Sequence, residues 1–283
     1  MVLVSTCSVL LDARKKCYAV PAFNCENLEM VQAIIEAGQE VSSPVIIQTT
    51  PSTLKYAPPA TFFSIVSSLA SKTSLPIAIH LDHGDSPSLC KTCIESGYTS
   101  VMIDGSNLGY DDNIKISKEV VDFALPKNIP VEAELGAVGG KEDSHSVDKK
   151  DAFFTDPSQA LDFVNKTGIQ TLAVAIGTAH GHYKETPKLD FERLASIAKI
   201  VEIPLVLHGT SGVADDDVVK CIALGISKVN YATELRDAYT KGVREVLSDK
   251  TVFDPKAYGR AGRKSVKDLA VYRMKLCKSA GKA

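Results

Sequence analysis

Residues 77 to 86 read IAIHLDHGDS, an apolar, β-branched run that ends on His80, Asp82 and His83 and then a glycine. Two more imidazoles stand at the ends of similar runs downstream, His180 in AIGTAHGHYK and His208 in LVLHGTSG. A single histidine at such a position is ordinarily a hydrogen-bonded strand terminus. Three brought to one point would do more. His83, His180 and His208 could reach one divalent ion at about 2.0–2.1 Å and leave a fourth position open. A structural zinc site would favour cysteine and four ligands, so three nitrogens with an open position point to catalysis. Gly181 and the run Gly209, Thr210, Ser211, Gly212 place exposed amides beside these imidazoles, where backbone can approach an anion closely. A metal next to a phosphate cradle predicts a phosphorylated substrate whose reacting oxygen the metal polarises.

The histidines can converge only if the elements that carry them end on the same side. Eight short β-branched runs recur at 18–23, 44–49, 76–81, 99–104, 129–135, 170–177, 203–209 and 226–231. The segments between them carry apolar residues at three and four spacing, as in Leu28, Val31, Ala33, Ile34 and Ile35, the mark of amphipathic helices. Asp85-Ser86-Pro87 and Thr155-Asp156-Pro157 are helix starts. Strands alternating with helices argue a parallel sheet, and eight units in this length argue an α/β fold, a closed (β/α)8 TIM barrel. An open doubly wound sheet is the alternative; it would carry a glycine-rich turn after its first strand, and AFNCENLE has none. Barrel active sites lie at strand C-termini. Asn24, Thr49 and Thr50, Asp82 and His83, Asp104, Glu134, His180, His208, Asn230 and Thr233 all fall there. The stretch 136–155 is long and polar, which predicts an active-site lid or an irregular excursion. Residues from about 250 to 283 form a helical C-terminal extension, and the whole chain 1–283 reads as one barrel domain.

Lys and Arg number 32 against 34 Asp and Glu, a formal net charge of −2, which predicts neither a nucleic-acid surface nor a basic membrane patch. No run approaches the ~18 apolar residues that span a bilayer. The opening MVLVSTCSVLL lacks the charged start and cleavage site of a signal peptide. Seven scattered cysteines fit a reducing compartment, so a soluble cytoplasmic protein is expected. Cys90 and Cys93 form a lone C-x-x-C within an expected helix and read as ordinary, partly buried thiols.

In order and at suitable intervals, AFNCENLE, HLDHG, VMIDGS, EAELGAVGGKED, AIGTAHGHYK, LVLHGTSG and NYATELR resemble the class II, metal-dependent ketose-bisphosphate aldolases over nearly the whole chain. The resemblance implies that His83, His180 and His208 bind a catalytic Zn²⁺, with a monovalent cation as a further possibility. It implies that Asp82 exchanges a proton with the C4 hydroxyl, and that Glu142 handles the proton on the dihydroxyacetone phosphate carbon. Gly181, Gly209, Thr210, Ser211, Asn230, Tyr231, Ala232 and Thr233 match positions around the dihydroxyacetone phosphate, with Lys184 assisting its phosphate. Asn24 and Thr50 match positions near the aldehyde half, and Asp104 and Glu134 match ligands of a second or transient metal position. Arg260 or Arg263 would meet the distal phosphate, across a subunit interface in relatives, so a homodimer or homotetramer is implied. His80, on the face of Asp82 by the period of two, is expected to orient its neighbours rather than bind the metal.

Fructose-bisphosphate members usually carry N-x-D-T-D on the eighth strand; Asn230-Tyr231-Ala232-Thr233-Glu234 instead resembles the tagatose 1,6-bisphosphate branch, whose sugar differs in configuration at C4. Tagatose 1,6-bisphosphate is the expected substrate and fructose 1,6-bisphosphate the alternative. Rival readings are a barrel hydrolase, which would more often carry a His-x-His pair on its first strand, a non-catalytic partner subunit, and a Schiff-base aldolase using Lys228 or Lys184.

Overall fold

In the computed structural model, residues 3–142, 145–147, 154–183 and 187–283 are described, residues 141, 142 and 145–147 by their backbone alone. Eight parallel strands close into a barrel: β1 (Val20–Asn24), β2 (Val45–Thr49), β3 (Ile77–Gly84), β4 (Ser100–Ile103), β5 (Val131–Leu135), β8 (Thr171–Val174), β10 (Leu205–Leu207) and β11 (Ile226–Tyr231), with β11 pairing back onto β1. Between β5 and β10 lie three short extra strands, β6 (Gly139–Glu142), β7 (His145–Val147) and β9 (Ala179–His180). The helices are α1 (Thr6–Lys16), α2 (Leu28–Val41), α3 (Pro51–Tyr56), α4 (Pro59–Ala70), α5 (Pro87–Glu95), α6 (Tyr110–Ala124), α7 (Pro157–Thr167), α8 (Phe191–Ile200), α9 (Asp215–Ala223), α10 (Thr233–Leu247) and α11 (Pro255–Leu276). Each of the eight expected runs overlaps one barrel strand, with β1 and β3 extending past theirs to Asn24 and Gly84. Capping follows the sequence signals: Ser86 accepts from Leu89 N–H ahead of Pro87, and Asp156 accepts from Ser158 N–H ahead of Pro157.

The main apolar layer lies between barrel and helices. Outward residues such as Ile47, Ile79, Leu81, Val101, Ala133 and Leu172 pack against Ile34, Phe62, Cys93, Val120 and Phe163 of the surrounding helices. Near the start of the described residues lies the helix α1. Its Leu10 and Ala13 cover Val20, Ala22, Ile46 and Ala78 at the N-terminal end of the barrel interior. Arg14 ties that plug down by donating to the carbonyls of Ile203 and Val201. The C-terminal extension is the 22-residue α11, packed along α2 and α10. Cys90 and Cys93 sit buried in α5, where burial pushes both thiols up, Cys93 to about 12. Among the described residues no helix is long and apolar enough to cross a membrane.

Within 136–155, where a lid or a disordered excursion is expected, the described residues include two strands: β6 and β7 pair antiparallel and β6 runs parallel to β9, forming a three-stranded sheet that includes His180. Gly140 is what permits it. Its φ is +96°, and an added Cβ would stand 2.2 Å from the His180 carbonyl oxygen, so only glycine allows the two backbones this close. Residues 143, 144 and 148–153 of that stretch lie outside the described residues.

Candidate active site

At the C-terminal end of the barrel the three imidazoles meet. Ring centroids of His83 lie 4.9 Å from His180 and 4.7 Å from His208, and those of His180 and His208 are 6.0 Å apart. All three are buried, and one ring nitrogen from each falls within 4.8 Å of the others. Zinc with Zn–N bonds of about 2.0–2.1 Å in tetrahedral array needs those nitrogens ~3.3 Å apart, a contraction that small ring rotations supply. On two of the three rings the other nitrogen is already assigned. His83 Nδ1 lies 2.7 Å from Asp104 Oδ2, and His208 Nε2 lies 3.0 Å from Glu132 Oε1. His83 Nε2 and His208 Nδ1 are the candidate ligand atoms on these two rings, and His208 Nδ1 stands 3.2 Å from Glu134 Oε2. The donor set therefore fits a divalent cation. His83, Asp104 and Glu134 form a second group with the spacing of metal ligands.

A regular strand cannot present Asp82 and His83 on one side, because successive residues face opposite ways. The chain solves this at the end of β3. Its register against β4 shifts between Leu81 and Gly84, and His83 takes a φ of 47°, a left-handed conformation that costs a non-glycine residue about 1–3 kcal/mol. Both side chains consequently reach the axis. Asp82 accepts from Asn24 Nδ2 at 3.0 Å, Gln48 Nε2 at 3.1 Å and Asn230 Nδ2 at 3.0 Å. Burial alone would raise its pKa, but the imidazoles of His83 and His208 and the Lys228 ammonium hold it below the usual carboxylate range. It is thus an ionised base with fixed orientation.

Beside His180 lies a small pocket lined by Gly181, Gly209, Thr210, Ser211, Asn230, Ala232 and Thr233. Gly209 has φ +65°, and a Cβ there would come 2.7 Å from the Ala179 backbone. Tyr183 locks this approach by accepting from Ala179 N–H at 2.5 Å and donating to Gly209 C=O at 2.7 Å. These two hydrogen bonds alone bring Tyr183 into view; nothing in the local sequence marks it. Thr50, after β2, caps α3.

Not every expected residue is brought in. Tyr231 points outward, stacked on Phe23 with its hydroxyl 3.4 Å from Cys277 Sγ, because alternation along β11 turns it away when Asn230 turns in. Its expected substrate contact is corrected accordingly for the side chain. Arg260 is exposed on α11 and lines a separate groove with Glu29, Gln32, Lys256, Gly259 and Arg263, while Arg263 is paired with Glu36 and Gln32. Glu142 contributes its backbone to β6; its side chain and Lys184 lie outside the described residues. Glu132 and Lys228 escaped notice as a pair, although the alternation in VEAEL puts Glu132 on the face of Glu134. Lys228 is fully buried with Nζ 2.9–3.0 Å from both Glu132 oxygens, an ion pair sealed from solvent.

His208 couples this site to pH. Burial opposes its charge, but the hydrogen-bonded Glu132 and the Glu134 carboxylate 3.2 Å from Nδ1 raise it to about 9. In the metal-free protein this raised pKa contributes stability that is complete below about 6.5 and disappears as pH rises through about 9. Zinc binding needs the deprotonated nitrogen. The melting-temperature gap between zinc-loaded and chelated protein is therefore expected to widen from pH 7 to pH 9. A scanning-calorimetry series showing a constant or narrowing gap would contradict this.

A parallel barrel gathering three imidazoles at its C-terminal end has the architecture of a barrel with a candidate metal site. Comparison with known proteins makes the class specific: a model of the class-II fructose-bisphosphate aldolase family matches residues 4–282, and the chain belongs to that family. Among solved structures, the YdjI aldolase of Escherichia coli K12 is 38% identical over 100% of both chains with a TM-score of 0.89. A Coccidioides immitis protein assigned to the fructose-1,6-bisphosphate aldolases is 30% identical, with 97% of this chain and 96% of that one covered and a TM-score of 0.90. The fructose-bisphosphate aldolase of Campylobacter jejuni shares the fold, at 22% identity, 100% and 97% coverage and a TM-score of 0.83. The protein is a carbon–carbon lyase of class II, a class whose metal is zinc.

Proposed function

We propose that this enzyme reversibly cleaves D-tagatose 1,6-bisphosphate to dihydroxyacetone phosphate and D-glyceraldehyde 3-phosphate. The observation that carries the choice of sugar is Ala232. It lines the pocket between Asn230 and Thr233, where fructose-type members of the family place an aspartate, so a hydroxyl-reading carboxylate is missing from that wall. A pocket that reads hydroxyls discriminates by the groups it leaves unpaired. The name of the family and the Coccidioides relative support fructose 1,6-bisphosphate as the second reading.

Zinc held by His83, His180 and His208 would supply a Lewis acid for the charge that develops on the ketone oxygen as the C3–C4 bond breaks. Asp82 takes the C4 hydroxyl proton in cleavage and returns it in condensation; the amides of Asn24, Gln48 and Asn230 keep it aimed and ionised. Gly181, Gly209, Thr210, Ser211 and Thr233 hold the dihydroxyacetone phosphate end through backbone N–H and hydroxyl donors. Lys184 assists there, and Glu142 on β6 handles the carbon proton. Asn24 and Thr50 border the aldehyde half. Asp104 orients His83, and with Glu134 it offers a transient second metal position. Arg260 serves the distal phosphate from a neighbouring copy in a homodimer or homotetramer. Seven unpaired cysteines support a cytoplasmic setting.

The test is a comparison of kcat/KM for the two bisphosphates. The ratio of tagatose to fructose bisphosphate is expected to exceed one and to fall in Ala232→Asp. A wild-type preference for fructose bisphosphate would overturn the substrate assignment while leaving the class untouched.

A further inference from the structure

Below the three imidazoles the barrel interior carries a charged layer that the steps above do not use. Lys228 on β11 and Glu132 on β5 meet in the interior, both fully buried, with the ammonium contacting both carboxylate oxygens. Such an ion pair gains little over well-packed apolar residues, and TIM-barrel interiors are usually filled with branched aliphatics. Fold stability alone therefore does not account for it. Its neighbours suggest what does. Glu132 Oε1 is shared between Lys228 and His208 Nε2, so the carboxylate favours the His208 proton on Nε2 and leaves Nδ1, 3.2 Å from Glu134 Oε2, as the ring's ligand atom in the three-histidine group. Behind Lys228, His80 Nε2 lies 3.4 Å from Nζ, and His80 Nδ1 lies 2.8 Å from Ser100 Oγ, which accepts from Thr6 Oγ1 at 2.9 Å. A continuous run of buried hydrogen bonds thus connects the plug helix α1 to a metal-facing imidazole.

We propose that Lys228 and Glu132 are positioning residues that fix His208 as an Nδ1 donor to the divalent ion, with His80, Ser100 and Thr6 anchoring them to α1. The inference rests on the metal reading of the triad. Lys228 neutralises Glu132, so the carboxylate can act as a hydrogen-bond acceptor without adding net charge beneath the ion. Partners of this kind are worth about 10–100-fold in metal affinity.

The experiment measures zinc dissociation constants by chelator competition, with the visible spectrum of the cobalt-substituted protein as a second readout. Lys228→Met and Glu132→Gln are each expected to weaken zinc binding about 10–100-fold and to shift the cobalt bands. The double variant, which removes both charges but keeps an acceptor for His208, is expected to recover most of that loss. Unchanged affinity in the folded single variants, or strictly additive losses in the double variant, would overturn the proposal. If the variants do not fold, nitrogen-15 histidine spectra of the zinc-loaded wild type decide: a His208 proton on Nε2 supports it and one on Nδ1 refutes it. A wild type that takes up no zinc would overturn the metal reading itself, and this inference with it.

Discussion

Chelation with EDTA is expected to abolish aldol cleavage, and zinc to restore it. A bound cation supplies several kcal/mol of charge stabilisation at the breaking bond, and each 1.36 kcal/mol is tenfold in rate, so the loss is on the order of 10³-fold or more. The site is built for that dependence: three buried imidazoles present ligand atoms within 4.8 Å of one another, and two of them have their second nitrogen committed to a carboxylate. Borohydride added with substrate is expected to leave activity intact. Lys228, the one described lysine inside the barrel, is sealed from solvent and ion-paired with Glu132. Activity that survives chelation, or that borohydride destroys only when substrate is present, would place the chemistry on a lysine and overturn the account.

Asp82→Ala is expected to lower kcat by about 10²–10⁴-fold, the range of a general acid–base group, while zinc content stays near one per chain. The two effects separate because Asp82 neighbours His83 in sequence but is held by different groups. Its oxygens accept from Asn24, Gln48 and Asn230, whereas the His83 ring is fixed by Asp104. Metal analysis beside steady-state kinetics checks this, and a parallel loss of zinc and turnover would make Asp82 a ligand or a structural support instead.

Much of this was legible in the residues. Eight β-branched runs between amphipathic segments mark a barrel because each strand must bury both faces, and the histidines at their ends locate the site because strand C-termini share one face. Legibility failed where local geometry breaks the period of two. HLDHG does not say that consecutive residues can both face inward; that requires the register shift and the left-handed His83. Tyr231 was misplaced for the opposite reason, since the alternation there is regular and carries its ring outward beside Asn230. GAVGGKE reads as flexible loop because glycine lowers strand propensity, yet Gly140 is what lets β6 pair with β9. Lys228 stands out in the sequence only as a possible Schiff-base lysine; its pairing with Glu132 is set by barrel closure, which brings β5 and β11 to the same interior layer.

The most direct measurement is a zinc anomalous difference map from crystals grown with zinc. The account predicts one strong peak at about 2.0–2.1 Å from His83 Nε2, a His180 ring nitrogen and His208 Nδ1. A peak elsewhere, or imidazoles turned apart with no ion between them, would contradict it.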